Sequence, residues 1–248
     1  MSNIYSFASI DSTMAAAREC AERGEAHGTA VLAESQNSGR GRLGKVWNSP
    51  PGKGLYCTIL LRPIGLAGEF YPFITLVAGN AVAAVIERIA GIPVGLKWPN
   101  DLYWQGRKLG GILTESVILQ AQSGANYALV GIGLNINTNR EDFPIELQDT
   151  ATSIYLMTGN VLDIQQIFVQ IRDELLLQVQ AFAQRGLGEV IAKWRKRDFM
   201  LGQRLQWLTV GRECVAGVSL GIDDYGRLHI RDDNGKIHEI LSGDIQLG

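Results

Sequence analysis

The sequence predicts an α+β fold with a small C-terminal β-barrel. Before residue 200, helical and strand-like segments are mixed, and several strand-like segments follow one another directly, which favours α+β over an alternating α/β pattern. Beyond Gly202, short alternating segments are separated by turns containing Gly or Asp, the texture of a small barrel. The chain has 248 residues, 46% of them hydrophobic. That length suits one large domain or a main domain with a small appendage, and it buries ~70–75% of the unfolded surface without disulfides or metals. The texture change near 199–203 predicts domains 1–199 and 200–248.

The elements follow in order. A helix runs from about Ser12 to Arg23, capped by Ser12 or Asp11, Ala-rich in its middle, and stopped by Gly24. Strands are predicted at Thr29–Glu34 and Leu55–Leu61. The charge-free run Phe70–Ile86 contains Pro72, Gly79 and Asn80 and falls short of a membrane span; its apolar spacing suits a buried helix near 70–90. Strands follow at Val94–Lys97, Leu109–Leu119 and Tyr127–Asn137, where β-branched and apolar residues dominate. The clearest helical period is Ile167, Ile171, Leu175, Val179 and Phe182, which places a helix at Gln165–Gln184 behind an Asp163 cap. Gly186 and Gly188 end it, and a shorter helix closes on Lys193–Arg197, cations at its negative end. The barrel strands are Leu205–Val210, Val215–Leu220, Leu228–Ile230 and Ile237–Leu241 within a five-stranded region. No internal repeat is expected.

Composition excludes several function classes. A formal charge of -2 argues against an extended nucleic-acid or membrane-surface binder. Cys20, Cys57 and Cys214 are scattered, which fits a reducing cytosol better than a disulfide scaffold. His27, His229 and His238 cluster neither together nor with cysteine, which argues against zinc. The N-terminus lacks a basic stretch followed by an apolar run, so no secretory signal is predicted.

Chemistry concentrates in three stretches. Gly39-Arg40-Gly41-Arg42-Leu43-Gly44-Lys45 combines backbone freedom with positive charge, suited to phosphate or carboxylate, though it lacks the GxxxxGK[ST] spacing. The plainer reading is a solvated loop. Ordering Gln36–Trp47 from full disorder would cost ~1–2 kcal/mol per residue, against about 8 kcal/mol returned by a micromolar ligand. A partly tethered lid anchored by Trp47 is therefore expected. The second stretch, Lys97-Trp98-Pro99-Asn100-Asp101 followed by Arg107-Lys108 and Gly110-Gly111-Ile112-Leu113, reads as a strand, turn and returning hairpin that carries Lys108. Paired glycines leave room beside the returning strand. The third, Gly131-Ile132-Gly133-Leu134-Asn135, opens one strand face to a flat or narrow ligand and points Asn135 the same way, towards a heterocycle.

Together these residues resemble biotin protein ligases. The matching stretches are Asp11-Ser12-Thr13, Glu34-Ser35-Gln36 running into the Gly39–Lys45 motif and Trp47, Lys97–Asp101, Arg107–Leu113 and Gly131–Asn137, in the family's order and spacing. The resemblance spans roughly residues 11 to 245. It implies a mixed-sheet catalytic domain of the biotin/lipoate ligase type with an SH3-like C-terminal barrel. It also implies a two-step reaction: biotin and MgATP form biotinyl-5′-AMP, and a lysine of the biotin carboxyl carrier protein of acetyl-CoA carboxylase then takes the biotin. By the same resemblance Ser12, Thr13 and Gln36 meet the biotin head, and Gly39, Gly111, Leu113 and Gly131 line its pocket. Arg40, Arg42 and Lys45 belong to the lid over carboxylate and phosphate, with Arg40 also touching biotin. Trp47 and Asn135 lie near adenine. Lys108 is the strand-borne catalytic cation beside biotin's carboxylate and the α-phosphate, assisted by Arg40 and Arg42, and Asp101 organises Mg2+. Met14 stands where the family often has asparagine. The catalytic region begins almost at Met1, leaving no room for a DNA-binding helix-turn-helix module, so a ligase without a repressor function and without a DNA partner is expected. A cytoplasmic monomer or homodimer with no membrane partner completes the expectation. The competing readings are a lipoate or octanoate attachment enzyme of the related fold and a non-catalytic anion-binding module.

Overall fold

The computed structural model describes residues 2–118, 126–208, 214–240 and 245–247. The chain begins with β1 (Ile4–Phe7), α1 (Thr13–Glu22), β2 (Ala30–Ala33) and β3 (Gly54–Leu61). A long helix, α2 (Ile74–Ala90), leads to a run of strands: β4 (Gly95–Lys97), β5 (Asp101–Trp104), β6 (Arg107–Val117) and β7 (Tyr127–Asn135). Three helices follow, α3 (Ile154–Thr158), α4 (Ile164–Arg185) and α5 (Leu187–Arg195). The C-terminal region holds β8 (Arg204–Leu208), β9 (Cys214–Ile222), β10 (Leu228–Asp232), β11 (Ile237–Ile240) and β12 (Ile245–Leu247). The ends of three expected strands, at Leu119, Val210 and Leu241, lie outside the described residues.

β1 to β7 form one mixed sheet in the order β1-β2-β3-β7-β6-β5-β4. Only the β1–β2 pair is parallel among the described pairings. The α+β expectation therefore holds. Alternation along β3 divides the sheet into two faces. Leu55, Cys57, Ile59 and Leu61 join the large core with α2 and α4, while Leu60 packs with Val31 and Leu129 under α1. Burial of a large apolar side chain contributes ~1.5–3 kcal/mol, and the α4 stripe Ile167, Ile171, Leu175, Val179 and Phe182 is buried along its whole length. Asp163 caps α4 through the backbone amides of Gln165 and Gln166. Gly188 lies inside α5 rather than ending α4; Gly186 alone separates the two helices.

The apolar run read as a core helix is one. α2 buries Ile74, Val77, Ala81 and Val85. Gly79 is required where α2 meets α5, because a Cβ there would lie 2.8 Å from the Trp194 ring. The sequence reading missed β1 and α3, and it treated the segment around β5 as a simple return. β5 and β6 are joined across Gln105-Gly106, both with positive φ (45° and 78°), as a tight primed hairpin turn demands.

The five C-terminal strands pair antiparallel in the order β11-β10-β9-β8-β12. They do contain a short repeat, contrary to expectation. Asp223-Asp224-Tyr225-Gly226-Arg227-Leu228-His229 recurs as Asp232-Asp233-Asn234-Gly235-Lys236-Ile237-His238. In each copy the first aspartate accepts two backbone amides of its own turn and the histidine Nε2–H, at 3.1 Å for His229 and 2.8 Å for His238. Asp223, His229 and Glu239 approach metal-ligand spacing, but the Arg227 guanidinium already bridges both carboxylates. The C-terminal sheet shares the large core, with Leu205, Ile222 and Leu228 in the same cluster as Leu96 and Trp194. The Trp98 indole N–H donates to the Gly226 carbonyl at 2.9 Å across that junction.

Candidate active site

A cavity of about 770 Å³ opens on the α1 face of the sheet, beneath the Gly39–Lys45 loop. Its floor is set by register. Thr58, Gly131 and Leu113 form one row across β3, β7 and β6, and Tyr56, Gly133 and Gly111 form the next. The glycines clear space, as expected, but protein side chains fill part of it. A Cβ on Gly133 would lie 2.4 Å from the Trp47 indole, and one on Gly131 would lie 2.9 Å from Met14 Cε. Met14 and Trp47 are thus walls of the cavity.

A cluster of neutral polar side chains borders the cavity at the start of α1. Ser12 caps α1 by accepting the Ala15 amide. The Gln36 amide oxygen accepts from the Thr13 backbone N–H at 2.9 Å and from its hydroxyl at 3.1 Å. With that proton committed, the Thr58 hydroxyl donates to Thr13 Oγ1 across 3.0 Å. Gln36 Nε2 donates to Ser49 Oγ. Thr58 was not singled out from the sequence; the β3–β7 register sets it opposite Gly131. Cys57 also borders the cavity, and burial pushes its thiol pKa up, so it offers no thiolate nucleophile.

The loop is a closed hairpin. Arg40 bridges Val46, the Gly41 amide donates to the Lys45 carbonyl at 2.7 Å, and the Trp47 amide donates to the Gly39 carbonyl at 3.0 Å. Its tip turns at Arg42–Gly44, with Leu43 at φ 55°, a left-handed conformation that costs ~1–2 kcal/mol for a non-glycine residue. Gly39 is buried, and a Cβ there would meet the Trp47 carbonyl oxygen at 2.7 Å. Its role is to let the hairpin close, and it does not line the cavity. Arg40, Arg42 and Lys45 all border the cavity, and Arg42 Nη1 donates to Asn100 Oδ1 at 3.1 Å.

Lys108 is held more firmly. Its backbone exchanges hydrogen bonds with Thr150 and Thr152 at 2.8 and 2.9 Å. Its ammonium lies 2.7 Å from Asp101 Oδ1 and 5.7 Å from the centre of the Trp47 ring. Nothing in the sequence marks the Phe143–Ala151 segment, which walls this end through Phe143, Leu147 and Thr150. Asn135 borders the cavity, but its Nδ2 donates to the Thr152 carbonyl at 2.9 Å, so the amide first braces that wall. The structure therefore gathers Ser12, Thr13, Gln36, Gly111, Leu113 and Gly131 with the lid cations, Lys108, Asp101, Trp47 and Asn135. A ligand with a neutral hydrogen-bonding head, an apolar body and an anionic tail matches this sequence of surfaces.

Comparison with known proteins gives the same direction. Residues 6–137 match the Biotin/lipoate A/B protein ligase family, and residues 201–248 match the Biotin protein ligase C terminal domain. A bifunctional ligase/repressor from Bacillus spizizenii is 35% identical over 240 residues, covering 96% of this chain and 72% of that protein. A biotin–[acetyl-CoA-carboxylase] ligase from Mycobacterium tuberculosis is 28% identical, covering 88% of this chain and 78% of that one. The structure of a biotin protein ligase from Aquifex aeolicus in complex with biotin and ATP superposes with a TM-score of 0.84 at 31% identity, covering 100% of both chains. With a cavity built for such a ligand and matches along most of its length, this chain belongs to the biotin/lipoate A/B protein ligase family.

Proposed function

We propose that the chain condenses biotin with ATP and passes the activated biotin to a lysine of a carrier protein. The observation that carries this reading is the order of surfaces within one cavity: the Thr13–Gln36–Thr58 cluster, the apolar walls of Met14, Leu113 and Trp47, and then Lys108 with the lid cations. A neutral bicyclic urea suits the first, an alkyl chain the second and a carboxylate facing a phosphate the third.

In the first step a carboxylate oxygen of biotin attacks the α-phosphorus and pyrophosphate leaves. Both reactants are anionic, so positioning and charge stabilisation supply most of the catalysis. Lys108 is the fixed cation at this point, while Arg40, Arg42 and Lys45 close from the lid. In the second step the carrier's lysine nitrogen attacks the acyl carbon, AMP leaves, and a proton is released. Trp47 and Asn135 flank the nucleotide end. Magnesium chemistry fits the residues present: Asp101 offers a carboxylate at the cavity, beside the Lys108 ammonium, and a Mg2+ ion needs few protein ligands when a triphosphate is bound. Asp101 would hold it, and it would neutralise triphosphate charge.

The carrier is a biotin carboxyl carrier protein of acetyl-CoA carboxylase, and the enzyme works in the cytoplasm as a monomer or homodimer. It binds neither operator DNA, given its charge of -2, nor a membrane. The domain division at 199–203 separates catalysis from a supporting C-terminal sheet. Mass spectrometry of a purified carrier domain incubated with ATP and either biotin or lipoate tests the reading. A single biotin adduct on one lysine is expected, and a lipoyl adduct would assign the other branch of the family.

A further inference from the structure

We propose that Asn100 is the latch of the lid, a positioning residue that holds Arg42 in register with the strand carrying Lys108 and Gly111. This rests on the ligase reading for its consequence, but not for its geometry. Asn100 occupies the turn between β4 and β5, where its amide donates to the Lys97 carbonyl at 3.1 Å. On one side it clasps β6: its backbone carbonyl accepts from Ile112 N–H at 2.9 Å, and its Nδ2 donates to the Ile112 carbonyl at 2.8 Å. On the other side its Oδ1 accepts from Arg42 Nη1 at 3.1 Å, across 58 positions of sequence.

These partners leave one workable side chain. A peptide carbonyl only accepts and a guanidinium only donates, so the residue between them must offer one donor and one acceptor from the same end group. The amide does this in a single orientation. Aspartate keeps the acceptor for Arg42 and loses the donor for Ile112. Alanine loses both. The turn is itself braced from behind by the Trp98–Gly226 hydrogen bond from the C-terminal sheet. The same turn is thus hydrogen-bonded through Trp98 to Gly226 of the C-terminal region and, two residues on, through Asn100 to the lid.

The consequence is preorganisation. An Arg42 already tied over the cavity loses less freedom when a phosphate arrives, and it holds the adenylate longer. Asn100 touches no reacting atom in this scheme; it acts through Arg42.

The test is a double-mutant cycle on the full chain. Two readouts are followed: trypsin cleavage after Arg40 or Lys45 without substrates, and the release rate of biotinyl-5′-AMP. Asn100→Ala should speed both about tenfold, the scale of one charge-assisted hydrogen bond. Arg42→Gly should do at least as much, and the double variant should be no faster than Arg42→Gly alone. Asn100→Asp should protect the lid and retain the adenylate as wild type does, with its lost Ile112 bond appearing only in the melting temperature. Adding Arg42→Gly to Asn100→Asp should remove that protection. Effects of Asn100→Ala and Arg42→Gly that multiply would overturn the latch, as would an Asn100→Asp variant that leaks like Asn100→Ala. If Asn100→Ala does not fold, the Asn100→Asp pair decides alone. The trypsin arm needs no biotin, so it stands even if the ligase reading fails.

Discussion

Replacing Lys108 with alanine removes two things at once. The ammonium lies 2.7 Å from Asp101 Oδ1, with the two side chains 34% and 18% exposed. Losing it deletes the strand-borne cation at the reacting phosphate. It also strands a mostly buried carboxylate beside an anionic substrate. Removing one preorganised electrostatic stabiliser slows a reaction about 10²–10³-fold, or ~2.7–4 kcal/mol. A stranded partner adds to the loss, because much of the penalty in breaking a buried pair is the charge left behind. Lys108→Ala should therefore fall at the far end of that range in biotin-dependent ATP–pyrophosphate exchange. Lys108→Ala with Asp101→Asn should recover about tenfold of it if Asp101 is chiefly a counter-ion. A double variant slower than the single one would make Asp101's metal-holding role dominant. Near-normal exchange in Lys108→Ala would refute the catalytic role altogether.

Other perturbations probe the remaining parts. Arg42→Gly should release biotinyl-5′-AMP ten- to a hundredfold faster, from a lost contact of ~1.5–3 kcal/mol, and mass spectrometry should find stray biotin on a bystander protein. Release no faster than wild type would end the retention role. Gly133→Ala puts a methyl group 2.4 Å from the Trp47 ring, so the indole must leave the shelf. Overpacking of ~1–3 kcal/mol should show as faster trypsin cleavage of the lid and a higher KM for ATP, with unchanged cleavage as the contrary result. In the C-terminal sheet, burial raises the Asp223 pKa but hydrogen bonds from Arg227 and His229 outweigh it, leaving the carboxyl at about 2. A depressed acid pKa stabilises the fold above the unfolded value of ~3.9, and that contribution of about 2 kcal/mol disappears as pH falls towards 2. The melting-temperature gap between wild type and Asp223→Asn should accordingly close between pH 5 and pH 2; a constant gap would contradict the assignment.

What the sequence showed depended on how local the cause was. The α4 stripe was legible because burial on one face imposes the 3.6-residue period directly on the residue order. β1 was not: Ile4 and Phe7 on an edge strand are 48% and 40% exposed, so no burial pattern betrays it. The Gly39–Lys45 motif read as a partly tethered anion-binding lid because glycine, charge and the Trp47 anchor are visible, whereas the hydrogen bonds that close it into a hairpin are not. Gly39 itself was assigned to the ligand but serves the close approach of Trp47's own carbonyl. Gly131 and Gly133 were read rightly as clearing a strand face; that Met14 and Trp47 would occupy part of it depends on distant segments. Asn135 was placed on the cavity side, yet its amide is drawn to Thr152, a partner that only the folded segment from Phe143 to Thr152 supplies. Asn100 sat in a motif already marked as special, but its double role needs Arg42 and Ile112 to be brought together.

The central claim is that this cavity joins biotin to ATP before any carrier is present. Exchange of labelled pyrophosphate into ATP, catalysed by the purified chain with magnesium, measures that step in isolation. The account predicts exchange that depends on biotin, is not supported by lipoate, and needs no carrier protein. Exchange that proceeds equally with lipoate, or is absent with biotin while the protein is folded, would contradict it.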